Sequence, residues 1–314
     1  MDFILHREGS HLMKNIYNFS RREETQQAFR RLNLINAFIF SASTEKPENA
    51  KFIAKLIIER ATGKKVGEIT VTQEKTLLGI DMGSHGIRMD LYIEEFENER
   101  VAKVYDIEPN TYRTTELPMR SRYSQALTDA KLLDKGKRYQ MLPEYISIWI
   151  LPFDPFGENR MLYTVKNCVE ENPQIDYNDG VTKLFLYVGG ELGGSEELKK
   201  LLNYMSKSEK ENVLDPELLQ LHNIVEEVRE DRKAGEQYMT LQEYLEYEIE
   251  EGIEAGIQAR LQERVDAAVQ ERIDAVIQET VVMLRELSIP DEQIVEKLMD
   301  KYQFSEEKAK SFLN

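Results

Sequence analysis

Residues 104–110 read VYDIEPN, and the fold depends on how that run is taken. Val104, Tyr105 and Ile107 have strand character, while Asp106 and Glu108 place two carboxylates along one edge. Pro109 then removes a backbone donor where a buried strand would still use one. The preceding residues give the setting. GIRMDLYIEEF (86–96) alternates, with Ile87, Met89, Leu91 and Ile93 on one face and Arg88, Asp90 and Tyr92 on the other. After the polar turn ENER (97–100), VAKVYDIE (101–108) alternates again. Two alternating runs joined by a short polar turn predict an antiparallel hairpin.

The flanking residues extend this hairpin into a domain. VGEITVTQEKTLL (66–78) reads as a strand before it. Upstream, the spacing of Phe29, Leu32, Ile35 and Phe38 predicts one helix over 24–40. ENAKFIAKLIIERATG (48–63) predicts a second after a break at Pro47, with Gly63 as its C-cap. Downstream, RSRYSQALTDAKLLDKG (120–136) predicts a helix burying Tyr123, Ala126, Leu127 and Ala130. EYISIWIL (144–151) is a continuous apolar run, the mark of a buried strand. FDPFGENR is a turn, VTKLFLYV (181–188) another strand, and GGELGG leads into the helix SEELKKLLNYM. This order gives an α/β fold with a mixed sheet over 26–205, preceded by a polar arm over 1–25.

Beyond residue 205 the chain reads as helical and charged. An apolar residue recurs at every fourth position from Ile249 to Val281. Each step turns through about 400°, so the stripe winds around a straight helix and is no heptad seam. A right-handed supercoil, a helix wrapped on a partner and a helix broken near Gly252 and Gly256 all fit. Homo-oligomerisation through this extension (206–285) is the favoured expectation. Residues 286–314 predict a helical hairpin, Ser288 and Asp291 having capping-box spacing for its first helix and Ser305 starting its second.

Composition narrows the classes. The chain has 314 residues, 41% of them hydrophobic, enough for about two domains. Its net charge of −16 weighs against a nucleic-acid partner until its distribution is considered. Residues 206–314 hold 27 acidic and 13 basic side chains, whereas residues 100–140 hold 9 basic and 5 acidic. Cys168 is the single cysteine, so no internal disulfide forms, and it reads as a packed residue. No apolar run approaches the roughly 20 residues of a membrane span, and no secretory leader is visible. A cytoplasmic protein is expected.

The hairpin carries the chemistry. Pairing across ENER brings Asp90 within reach of Glu108 and Asp106. Carboxylates closing on one point repel unless a cation lies between them, and hard oxygen ligands suit Mg²⁺ or Mn²⁺. The carbonyl of Pro109 can supply a third ligand, and Asn110, two residues beyond Glu108, can orient water. Such a metal generates hydroxide and neutralises charge on a scissile phosphate. From spacing alone the plainer reading, acids facing solvent on a hairpin, stays open.

From Arg30 to about Met205 the chain resembles the PD-(D/E)XK nuclease-like transposase family, which includes recombination-promoting nucleases. The resemblance rests on RLNLINAFIF, GIRMDLYIEE, VYDIEPN, DGVTKLFLYVGG and the long central stretch containing LLDKG, LPE and PFDPFG in order. It implies a restriction-endonuclease-like core and Mg²⁺-dependent DNA cleavage linked to recombination or mobile elements. Asp90 matches the family's metal-binding aspartate and Glu108 its second acid. Asn110 stands where the family usually has glutamine, Pro109 where it has an apolar residue, and Asn36-Ala37 where Asn-Asp is expected. The resemblance therefore also admits a catalytically degenerate fold that binds DNA or protein. Arg120, Arg122 and Gln125 follow closely enough to hold a DNA phosphate, and Lys131, Lys135, Lys137 and Arg138 extend the basic run.

Other signals carry less. GGELGG lacks the Lys-Ser/Thr of a nucleotide loop. His6, His11, His85 and His222 have no metal-ligand spacing, and Trp149 reads as core.

Overall fold

A computed structural model describes residues 22–77, 87–113 and 115–313. Most of the expected arm over 1–25, together with His6, His11 and His85, lies outside them. The chain forms two compact units, the first running through Thr240 and the second over Leu241–Asn314.

The first unit opens with α1 (22–30) and α2 (Ala37–Ser43). One helix was expected here, and polar side chains divide it. Asn36 Oδ1 accepts the Phe38 N–H at 2.9 Å and N-caps α2. Asn33 Oδ1 accepts the Ser208 N–H at 2.9 Å, and the Leu34 N–H donates to Ser208 Oγ at 2.8 Å. The break is thus tied to a distant part of the chain. Helix α3 (Pro47–Thr62) has Pro47 in its first turn and ends at Gly63, whose φ of 69° needs no Cβ.

Strands β1 (Glu68–Leu77), β2 (Ile87–Glu97) and β3 (Arg100–Pro109) form an antiparallel meander. The expected turn is Asn98-Glu99, with both φ angles positive (51° and 64°), the twist a two-residue hairpin turn requires. Helix α4 (Leu117–Leu132) crosses over to β4 (Glu144–Leu151), which pairs parallel to β3. Strand β6 (Val181–Tyr187) pairs parallel to β4. β5 (Leu162–Val165), a short strand the sequence did not reveal, pairs antiparallel to β6. The six strands run in the order β1-β2-β3-β4-β6-β5.

The sheet is covered on both faces. Leu91, Ile93, Tyr105, Ile107, Ile148 and Leu186 share one core with the helices before β1 and with α5 (Glu196–Ser206) and α6 (Pro216–Glu230). α6 and its buried Leu218, Leu221 and Val225 thus belong to the first unit. On the other face α4 covers Val104 and Tyr145 through Leu127, and Trp149 and Phe185 through Leu117. This two-sided burial is why EYISIWIL shows no alternation.

Two readings of faces are corrected. Ile87 and Met89 pack with Tyr92, not with Leu91 and Ile93. The β1–β2 ladder skips the Glu74–Asp90 position, where Glu74 has a φ of 50°, and the alternation breaks there. Helix α4 starts three residues earlier than expected and buries Leu117, Ser121, Ser124, Leu127 and Thr128, leaving Tyr123, Ala126 and Ala130 exposed. Ser121 Oγ meets Ser147 Oγ at 3.2 Å, so small hydroxyl residues face the sheet. Cys168 is exposed rather than packed, because it lies in the polar connection between β5 and β6.

Helix α7 spans Arg232–Glu286 without a break at Gly252 or Gly256. Within the second unit, its Ile277 and Val281 share a core with Ile294 and Leu298 of α8 (Asp291–Tyr302) and Ala309 of α9 (Glu306–Ser311). Ser305 caps α9 as expected. Ser288 does not cap α8. At a φ of 61° it ends α7, its N–H donating to Arg285 O and that of Ile289 to Leu284 O. Among the described residues no helix is long and apolar enough to cross a membrane.

Candidate functional site

The β2–β3 ladder ends at Leu91 and Ile107, one position short of Asp90 and Glu108. Beyond that point β3 stays with β4 alone: Glu108 registers with Trp149, Pro109 with Ile150, and the Asn110 N–H donates to Ile150 O at 2.9 Å. Backbone donors alternate in direction along a strand, so the donor that Pro109 lacks would have faced β2. The ladder has already stopped on that side, and the proline leaves no hydrogen bond unmade.

The resulting fork holds the acids. Glu108 Oε1 accepts the Asp90 N–H at 3.2 Å, and its Oε2 accepts from Arg120 Nη2 at 3.3 Å. Asp106, on the same face of β3, accepts from the Tyr145 hydroxyl at 3.0 Å through Oδ2. Glu108 and Asp106 are 5% and 1% exposed, so water screens neither. Arg120, half exposed on α4, also lies over the Trp149 ring, 5.1 Å from its centre.

Electrostatics define the state of this group. Burial raises the Glu108 carboxyl well above the usual range, and the Asp106 and Asp90 charges raise it further against the pull of Arg120. Burial likewise raises Asp106, opposed by the Tyr145 hydrogen bond. Burial raises Asp90 also, opposed first by Arg120 and then by Arg88. All three acids thus draw on Arg120, which bonds only Glu108, and Asp90 draws on Arg88 as well. Proton uptake or a bound cation is what balances such a site.

The donor set is all oxygen and fits a hard divalent cation. Asp106 Oδ1 is buried with no hydrogen-bond partner, an acceptor that a cation or a shared proton would satisfy. Asp90 lines an open cleft of about 700 Å³ together with Arg88, Glu116, Met119, Arg120 and Tyr123, so the fork is reachable from solvent. Each Glu108 oxygen already accepts one hydrogen bond, so a cation there would compete with Arg120 for Oε2. Among the described residues no three His, Cys, Asp or Glu side chains are already grouped as a metal cage.

The other expected residues are placed as follows. Asn110 is buried; its Oδ1 accepts the Tyr112 N–H at 3.0 Å and its Nδ2 has no partner. Arg120 joins the acids. Arg122 is exposed and acts electrostatically on Lys183, and Gln125 donates to Asp129 at 3.2 Å; neither joins the carboxylate group. Tyr145 and Trp149 were missed as site residues, because within an unbroken apolar run nothing marks a hydroxyl or a ring as facing acids. Comparison of the chain with family models, curated proteins and solved structures finds no match.

Proposed function

We propose that the protein is a Mg²⁺- or Mn²⁺-dependent DNA endonuclease of the PD-(D/E)XK type, with a restriction-endonuclease-like core. The observation that supports this most is the fork of two strands at which Asp90, Asp106 and Glu108 all draw on Arg120, with Arg88 acting on Asp90 alone, beside an open cleft. Asp90, Glu108 and the Pro109 carbonyl would hold the cation, which when bound supplies hydroxide at neutral pH and charge neutralisation. Asn110, whose Nδ2 is buried without a partner, would orient a water that enters the fork with the cation. Arg120, once released from Glu108, is a half-exposed guanidinium on the cleft wall, placed to meet phosphate. Arg122 and Gln125 lie on the same helix and serve backbone contacts outside the cleft.

One observation favours a second reading. Arg120 already occupies Glu108, which is how a fold that had lost its metal would neutralise the acid. Such a protein would bind DNA or another protein without cutting. Plasmid nicking separates the two. Cleavage that requires Mg²⁺ or Mn²⁺ and vanishes in Asp90→Ala supports the enzyme; DNA binding without metal-dependent nicking supports the binding module.

A further inference from the structure

Helix α4 separates the carboxylate fork from a second concavity. Asp106, Ser147, Lys183 and Val165 register with one another across β3, β4, β6 and β5, so all four side chains stand on one face of the sheet. Ser121 of α4 rests on Ser147, which puts the acids on one flank of the helix and Lys183 on the other, about 10 Å from Asp106. On the Lys183 flank the sheet runs out to its edge at β5, where Val165 is 40% exposed. The result is a trench with α4 as its wall and β6 and β5 as its floor.

The trench holds cations and an aromatic pocket. Lys183 is half-buried, yet neither it nor Arg122 forms an ion pair with any described residue. Burial and the Arg122 charge both push the Lys183 ammonium below the usual lysine range, and Asp179 opposes them more weakly. Asp179 is itself held by Asn167 and by the Val181 N–H. Two neighbouring cations with no anion between them make a place for one. Two residues further along β6, about 7 Å away, Phe185 lines an apolar pocket of about 420 Å³. Beside it is Phe156, 46% exposed and set edge-on to Phe185 and Tyr163 at 5.3 and 5.0 Å between ring centres. The loop carrying Phe156 is fixed, because the Asp154 carboxylate accepts the N–H groups of Phe156, Gly157 and Asn159 and the Tyr163 hydroxyl. Leu117, Pro118 and the exposed Arg113 also line the pocket.

An aromatic pocket beside paired cations matches one nucleotide, its ring in the pocket and its phosphate on the cations. A base within a duplex is stacked and paired and cannot enter. We infer that this trench holds a single nucleic-acid strand, an unpaired base entering the Phe156–Phe185 pocket and its phosphate lying between Arg122 and Lys183. The inference deepens the nuclease reading and rests on it for the substrate class. The first turn of α4 presents Leu117 and Pro118 to the pocket and Glu116, Met119 and Arg120 to the Asp90 cleft, so a strand leaving the trench reaches the fork over that one turn.

Fluorescence anisotropy of the full chain with a labelled oligothymidylate, in chelator, reads the trench without cleavage. The strand should bind more tightly than a duplex of the same length. Phe156→Ala should weaken it about tenfold, and Phe156→Tyr should not. Lys183→Gln should lower the slope of log affinity against log salt by about 0.7, the share of one phosphate on a single strand. Duplex preference in the wild type overturns the inference, as does a Phe156→Ala or Lys183→Gln protein that binds like the wild type. Binding of neither oligonucleotide also overturns it, and leaves the trench to a protein segment. Plasmid nicking is scored separately. Strand binding without metal-dependent nicking upholds the trench and removes the nuclease, whereas nicking without strand binding removes the trench alone.

Discussion

Pro109 shows how one residue can be read correctly as odd and still need the structure to be understood. The sequence marked it as a strand residue without a donor; the register shows that β2 has left before that donor would be used. Asp106 is the opposite case. It appears in VYDIEPN as a second acid, yet only Tyr145, 39 positions away in sequence, shows that it is fully enclosed. The raised carboxyls have a consequence with a definite sign. An acid with a raised folded pKa keeps a proton that the unfolded chain releases near pH 4, so its contribution to stability is complete below that pH and is lost as pH rises through the raised folded value. Thermal melts in chelator should therefore show falling stability from about pH 5 to about pH 8. Glu108→Gln removes a buried charge and should flatten that slope, with a gain of about 1–3 kcal/mol at the alkaline end. Tyr145→Phe leaves Asp106 without its donor and should cost about 1–3 kcal/mol by urea denaturation, more at the alkaline end than the acidic one.

At the scale of elements, the hairpin and its turn were legible because alternation and turn chemistry are local. The same held for α3, whose proline and glycine mark both ends. Helix α4 was legible as a helix but not in its orientation. Its buried face is built from Ser121, Ser124 and Thr128, which hydropathy ranks as surface, while the exposed face carries Tyr123. Contact with the sheet decides this, through Ser147 on β4 and the internal bond from Thr128 Oγ1 to Ser124 O at 2.8 Å. Ser121→Val would overfill that contact and should cost about 1–3 kcal/mol by urea denaturation. The division of α1 from α2 was hidden for a similar reason, since Asn33 finds its partner at Ser208. Four-residue β5 was too short to carry a periodic signal.

At the scale of the molecule, the sheet brings together acids from two strands, a tyrosine from a third and an arginine from the crossover helix. Counting across the turn from Glu97 and Arg100 brings Asp90 near the acids but sets it opposite Ile107; the register shift between Glu95 and Phe96, which the sequence does not mark, is what aligns it with Glu108. Arg120 could be listed only as one basic residue among several, and its pairing with Glu108 is what joins the charge balance of the site to its access. The most direct test is diffraction from crystals grown with Mn²⁺, recorded for its anomalous signal. The expected result is a peak between the Asp90 and Glu108 carboxylates with Arg120 swung off Glu108 into the cleft. A map without that peak at saturating Mn²⁺, with Arg120 still bonded to Glu108, would contradict a cation site at the fork.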